Sequence, residues 1–207
     1  MIVVLVAASA VTVVGAIVAL STRDPRSTLA GLAAVVVGSA LVDDPLPDLL
    51  PLAARLVGGA LAVELLWIAL RVSDMAGIRR RLPTDPRVSA LAAAVGFAVG
   101  ELAGLSRLDA GAPFAPGSPI VLGAAFALAA IGVSPLLLAR DLLGLVTGAI
   151  VLLVATTIAR AAVTPGPTAL ESLITTGVVV ALAAAVAGVM VAARTTLQGP
   201  EPVERPA

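Results

Sequence analysis

Apolar residues run in long blocks along this chain, and the polar residues fall in short gaps between the blocks. A helix needs about 20 apolar residues to cross the hydrocarbon core of a bilayer. Seven blocks are candidates: residues 2–21, 28–42, 49–70, 88–106, 119–138, 142–163 and 169–193. The second is short for a full crossing, so it should tilt little or thin the bilayer locally. The gaps read STRDPRS, DDPLPD, the Arg-rich stretch 71–87, RLDAGAPFAPGSP, a bare Arg-Asp pair and TPGPT. Pro and Gly there cannot continue a regular helix without a kink or a stop. The fold class is therefore all-α, a polytopic transmembrane helix bundle of about seven spans.

One gap needs its own argument. In GVSPLLLARDLLGLVTG, residues 132–148, only Arg140 and Asp141 interrupt the apolar run. Read as one helix, residues 119–163 would extend about 65 Å at 1.5 Å per residue, roughly twice the bilayer core. The run must fold back, and the charged pair is where it does so. Pro135, one turn earlier, should loosen the end of the preceding helix.

Composition agrees with this picture. Hydrophobic residues make up 59% of the 207 and the mean hydropathy is +1.10. Cys and His are absent, which excludes disulfides, thiolate chemistry and imidazole metal ligands. The start, MIVVLVAASA, has no basic residue before its apolar run and reads as a first span rather than a cleaved signal. All 13 basic residues are Arg, and their distribution orients the bundle. With alternate connections on the cytoplasmic side, that side holds Arg23, Arg26, Arg71, Arg79, Arg80, Arg81, Arg87, Arg140, Arg194 and Arg205. The other side holds Arg107 beside Asp43, Asp44, Asp48, Asp109 and Glu171. Ten against one is the positive-inside signature, giving an outside N-terminus and a cytoplasmic C-terminus in the cytoplasmic (inner) membrane. The Pro- and charge-rich tail, QGPEPVERPA, is expected to be disordered.

Four ionisable residues fall inside the spans: Arg55, Glu64, Glu101 and Arg160. An intramembrane charge is costly and is a functional candidate by default. Arg55 and Glu101 lie at similar depth on spans three and four, a spacing at which they can pair. One reading makes Glu64, Glu101 and Arg55 candidates for a proton path, the carboxyls raised in pKa by burial. The other makes them structural, a salt bridge fixing helix register with Glu64 protonated or reaching toward Arg71. Arg160 is close enough to its span's end to snorkel to the headgroups.

Small residues supply packing signals. GFAVGELAG puts Gly96, Gly100 and Gly104 on one face of span four, and Gly144 and Gly148 repeat the spacing in span six. Such spacing lets helices approach closely in a membrane. Nothing resembles a P-loop, a dinucleotide fingerprint, a zinc-protease helix or a nucleophile elbow. No catalytic residue, metal site, cofactor or nucleic-acid partner is expected.

The last three spans carry a resemblance. They read AIGVSPLLLARDLLGLVTGAIVLLVATTIAR, then TPGPTALES, then LITTGVVVALAAAVAGVMVAAR. An Ile-Gly step, a Leu-Leu-x-Arg-Asn-Leu-Leu-like turn, a Gly seven residues after the Asn position and a third span ending on a basic residue are similar to subunit K of NADH-quinone oxidoreductase. The same pattern occurs in its relatives in ion-translocating antiporter and membrane-bound hydrogenase complexes. Hydrogenase-4 component E resembles the chain in overall format, with further spans before a K-like unit. STRDPRSTLAGLAAVVVGSAL has a weaker likeness to subunit J of such complexes.

The resemblance divides the chain into a four-span region (1–106), an extracytoplasmic loop (107–118), a K-like three-span unit (119–195) and a tail (196–207). It makes Arg140, Asp141 and Gly148 a family-motif turn on the cytoplasmic side. It also implies carboxylates in the middle and last helices of that unit. This chain has Ile150 or Leu153, and Ala181 or Ala184, in those neighbourhoods, and Asp141 where the family commonly has Asn. The expected function is a non-catalytic integral membrane subunit of a proton-translocating redox or antiporter-like complex. Its expected partners are the lipid bilayer and other membrane subunits of a hetero-oligomer. The alternatives are a small independent transporter and a membrane assembly or structural protein.

Overall fold

The computed structural model describes residues 2–22, 24–42, 48–74, 85–109, 118–138, 142–164 and 168–197. Among these, all regular structure is helical: α1 (Ile2–Ser21), α2 (Pro25–Leu41), α3 (Leu49–Asp74), α4 (Pro86–Asp109), α5 (Pro119–Leu138), α6 (Leu142–Val163) and α7 (Ala169–Leu197). Six of them are long and apolar enough to cross a membrane, and the chain is a multi-pass membrane protein. The exception is α2, whose 17 residues extend only about 25 Å. The run 119–163 is broken into α5 and α6 at the expected place, with residues 139–141 between them.

Helix starts differ from the hydropathic boundaries because capping chemistry, not apolarity, sets them. The tripeptide Asp-Pro-Arg begins both α2 and α4. Asp24 accepts from the Arg26 and Ser27 amides at 3.3 and 3.2 Å, and the Ser27 hydroxyl donates to it at 2.9 Å. Asp85 accepts from the Arg87 amide at 2.9 Å. Each Pro fills the first helical position, where no amide is needed. So α2 starts at Pro25 rather than 28, and α4 at Pro86 rather than 88. At the other end α4 continues to Asp109 and α7 to Leu197, past the apolar stretches and into the segments expected as loop and tail.

Helix directions follow from close contacts. Glycine backbones lie against the partner helix at Gly15–Gly31, at Gly100–Leu122 and at Gly132–Gly148, in antiparallel register each time. The Ser21 and Ser89 hydroxyls meet at 3.3 Å, so α1 ends where α4 begins. One end of the bundle, the Asp24 end, thus holds the starts of α2, α4 and α6. The Arg160 end holds the starts of α3, α5 and α7. Consecutive helices alternate in direction, and α1, α2 and α3 run parallel to α5, α6 and α7 respectively.

Packing turns this into two three-helix rows. α1 touches α5, α2 touches α6 and α3 touches α7, while α4 closes one side against α5 and α1. The inner helices are α1, α2, α5 and α6, with Leu32, Val35, Leu128, Ile131, Ile150 and Ile158 essentially inaccessible. About half of the α1, α5 and α6 spans is buried, against 28% for α3, 22% for α4 and 17% for α7. The outer three therefore present broad apolar faces outward.

Two outcomes test this account. A Cβ on Gly31 would lie 2.6 Å from both the Ala19 nitrogen and the Gly15 oxygen, and one on Gly100 would lie 2.5 Å from the Leu122 oxygen; these are backbone atoms that cannot swing aside. Gly31→Leu and Gly100→Leu should each cost about 1–3 kcal/mol of stability, read as thermal unfolding in detergent. Gly177→Ala and Gly188→Ala, with nothing within 4 Å, should change it little. Unchanged unfolding in Gly31→Leu would sink the close-approach argument.

The second concerns pH. Hydrogen bonding, first from the Ser27 hydroxyl and then from the Arg26 amide, holds the Asp24 carboxyl below its usual range. A folded-state value lowered in this way stabilises above the unfolded value and is lost as pH falls through the folded one. The protection of the Arg26 and Ser27 amides against exchange, relative to their unstructured rates, should therefore fall only in acid. In Asp24→Asn that acid step should be absent, because an amide caps without titrating.

Candidate functional site

The expected pairing of Arg55 with Glu101 does not form. α3 and α4 do not touch among the described residues, although they are consecutive, and they occupy opposite sides of the bundle. The glycine face of α4 explains this: Gly96 packs on Phe126 and Ala127, Gly100 on Leu122 and Gly123, and Gly104 on Pro119, so α4 is committed to α5. Glu101, half-buried, lies next to Gly100 on that helix. Arg55 and Glu101 share a depth but not a side.

Glu64 is exposed on the outer face of α3. Val57, Ala60, Leu61, Ile68 and Arg71 share that face and are exposed too, so the carboxyl interrupts an apolar stripe. The reach toward Arg71 is not made. The Arg71 guanidinium instead stacks over Trp67, 4.9 Å from the ring centre. Among the described residues none bonds to Glu64 or to Glu101.

Arg55 lies elsewhere, in the crevice where α2, α3, α6 and α7 meet. The inner recess is lined by Val36 and Ser39 of α2, Arg55 and Gly59 of α3, Ile150, Leu153, Val154 and Thr157 of α6, and Thr175, Thr176 and Val179 of α7. It has a volume of about 500 Å³, its open side included. A second recess of about 330 Å³ adjoins it toward the Arg160 end and shares Arg55, Thr157 and Thr175 with it. Thr164, Arg160, Glu171 and Ser172 form the outer lining. Gly58 and Gly59 make the arrangement possible, because Thr176 packs against one and Val36 against the other. This Gly-Gly step was the sequence signal for the site; four-residue spacing alone does not reveal it.

The mouth is built by a local capping device. Thr168 precedes α7, and its hydroxyl accepts from the Glu171 amide at 3.3 Å while Glu171 accepts from the Thr168 amide at 3.2 Å. This reciprocal box fixes the helix start. The other carboxylate oxygen of Glu171 takes a hydrogen bond from Arg160 at 2.5 Å. Arg160, 55% exposed, thus reaches across to α7 as well as outward. Deeper in, the Thr157 hydroxyl donates to the Val154 carbonyl at 2.7 Å and the Ser39 hydroxyl to the Val36 carbonyl at 2.9 Å. Their lone pairs remain for other donors. The Ser172 hydroxyl is buried without a hydrogen-bond partner.

Gly148 owes its identity to packing. A Cβ there would lie 2.5 Å from Pro135 Cγ and 3.0 Å from the Gly132 oxygen. Pro135 sits inside α5 and its ring fills the space that Gly148 leaves. Arg140 and Asp141, the rest of the expected motif turn, lie outside the described residues. No group of three acidic side chains able to hold a metal occurs among the described residues.

No family model, curated protein or solved structure matches the chain.

The mouth ion pair can be tested by exchanging its charges. Arg160→Glu alone sets two carboxylates together and should lower the thermal midpoint. Arg160→Glu with Glu171→Arg should recover part of the loss, as a pair exposed at this level is worth little but like charges repel. Additive losses in the double variant would show that the pair does not couple α6 to α7.

Proposed function

We propose that this chain is a non-catalytic integral membrane subunit of a proton-translocating redox or antiporter-like complex. The observation that carries the reading is Glu64. A charged side chain near the middle of a lone spanning helix costs about 2.5–3.5 kcal/mol on insertion scales, so such groups normally face protein or water. Here the carboxyl faces out of the bundle in an apolar stripe, with no bonding partner among the described residues. A neighbouring subunit that donates a hydrogen bond to Glu64 removes the mismatch. The broad exposed faces of α3, α4 and α7 offer area for such neighbours.

Two sequence features favour this class of complex. The K-like pattern falls on α5, α6 and α7, one complete row of the bundle. The Arg distribution reads as a cytoplasmic Asp24 end and an outer Arg160 end, in an inner membrane. Arg26, Arg71 and Arg87 belong to the Asp24 end. The crevice at the other end gives the alternative of an independent transporter its only structural support.

Tagged protein purified in mild detergent should bring antiporter-like or redox subunits with it. Glu64→Leu should reduce the recovered partner roughly 3- to 30-fold, the range of one interhelical hydrogen bond, while the isolated chain keeps its thermal midpoint. Recovery of the wild-type chain alone, with cation flux in proteoliposomes, would favour the transporter instead.

A further inference from the structure

We propose that the Arg55 crevice is an aqueous inlet, through which bulk water enters from the Arg160 end and reaches the middle of the bundle. The chemical class it admits is water, with the protons and small hydrophilic solutes that water carries.

Depth comes first. Thr157 lies six residues before the end of α6 and Thr175 six after the start of α7, each about 9 Å in. Ile150 lies about 20 Å in by the same measure. The two recesses adjoin, sharing Arg55, Thr157 and Thr175 as lining, so the side chains that bound the outer one also bound the inner one.

Lining chemistry comes second. Hydroxyls of Thr164, Ser172, Thr175, Thr157, Thr176 and Ser39 follow one another inward, with guanidinium groups at Arg160 and Arg55. Apolar side chains share the lining, Val36 and Leu153 among them, but they lie between these polar groups rather than replacing them. Water finds partners there: Thr157 and Ser39 have spent their protons on backbone carbonyls and present lone pairs, and the Ser172 hydroxyl lacks a hydrogen-bond partner. Buried water needs room for at least one molecule, about 30 Å³ of liquid, and two to four polar partners. The two recesses have room for more than one water, and their six hydroxyls supply the partners. The inlet stops at Ile150, Leu153, Val154 and Val179, which offer water nothing to bond.

This inference needs only a chain that spans a bilayer, so it stands or falls apart from membership in a complex. The chain has no Cys, so single-cysteine variants need no prior background. Thr164→Cys, Thr175→Cys, Thr157→Cys, Val179→Cys and Val57→Cys would be reconstituted in vesicles and treated with a charged, membrane-impermeant methanethiosulfonate. Val57 is the lipid-side control, 61% exposed on the outer face of α3. Thr175→Cys and Thr157→Cys should react within about tenfold of the rate at Thr164→Cys, while Val179→Cys and Val57→Cys react far more slowly. The proposal is overturned if Thr175→Cys and Thr157→Cys are as slow as Val57→Cys yet react fully once unfolded. Fast reaction at Val179→Cys would overturn the apolar floor. Thermal midpoints of each variant near wild type keep the comparison valid. A variant that unfolds early is replaced by serine-bordering alternatives at Ser39→Cys or Ser172→Cys, read in the same way.

Discussion

Between apolar helices in a bilayer there is no hydrophobic force to draw them together, because lipid tails are as apolar as leucine. What remains is the contact that backbones make when no side chain separates them, and this bundle depends on it. Gly15 against Gly31 joins α1 to α2, Gly132 against Gly148 joins α5 to α6, and the Gly96–Gly100–Gly104 face joins α4 to α5. These contacts set which helices are inner. α3 is joined to α7 and to α2 by a different device, Gly58 and Gly59, which admit one side chain each from α7 and α2. The crevice opens where α2, α3, α6 and α7 meet, a junction at which α6 touches α2 and α7 only sparsely.

The placement of charge follows from the same division. Tightly joined helices leave no room for a guanidinium, so Arg55 lies at the junction of α2, α3, α6 and α7. Arg160 and Glu171 bridge α6 and α7 at its mouth, where these two helices otherwise touch sparsely. The two span carboxyls are on outer helices, where no described residue bonds to them. A polar group at the centre of a bundle and a polar group on its outside raise different questions: the first asks what water reaches it, the second what protein covers it.

Much of the fold was legible in hydropathy, because block length against bilayer thickness is a one-dimensional comparison. All seven helices were expected within a few residues, and the break between α5 and α6 followed from length alone. Helix starts were missed by a few residues because Asp-Pro-Arg caps extend a helix into polar sequence. The site was less legible. Sequence position gives distance along a helix, which is how Arg55 and Glu101 were set at similar depth. It does not give direction around the bundle, and the partners of α3 are chosen by contacts hundreds of atoms away in sequence. The glycine face of α4 was visible; that it would be spent on α5 rather than on α3 was not.

The crevice also bears on where the sequence departs from the K-like pattern on which the proposed membership partly rests. The resemblance implies a carboxylate on α6 near Ile150 or Leu153, and both of those side chains line the inner recess. An acid at either place would lie at the end of a hydroxyl-lined passage, where water could exchange its proton. With Ile150 and Leu153 in those places the passage ends against hydrocarbon. Neither Glu64, on the outer face of α3, nor Glu101, on the far side of the bundle, lines the recess. A proton arriving by this route therefore has no carboxyl of the α6 lining to receive it. Water access and proton transfer are separable properties here: the hydroxyls along the recess bear on the first, and the apolar side chains at its inner end on the second.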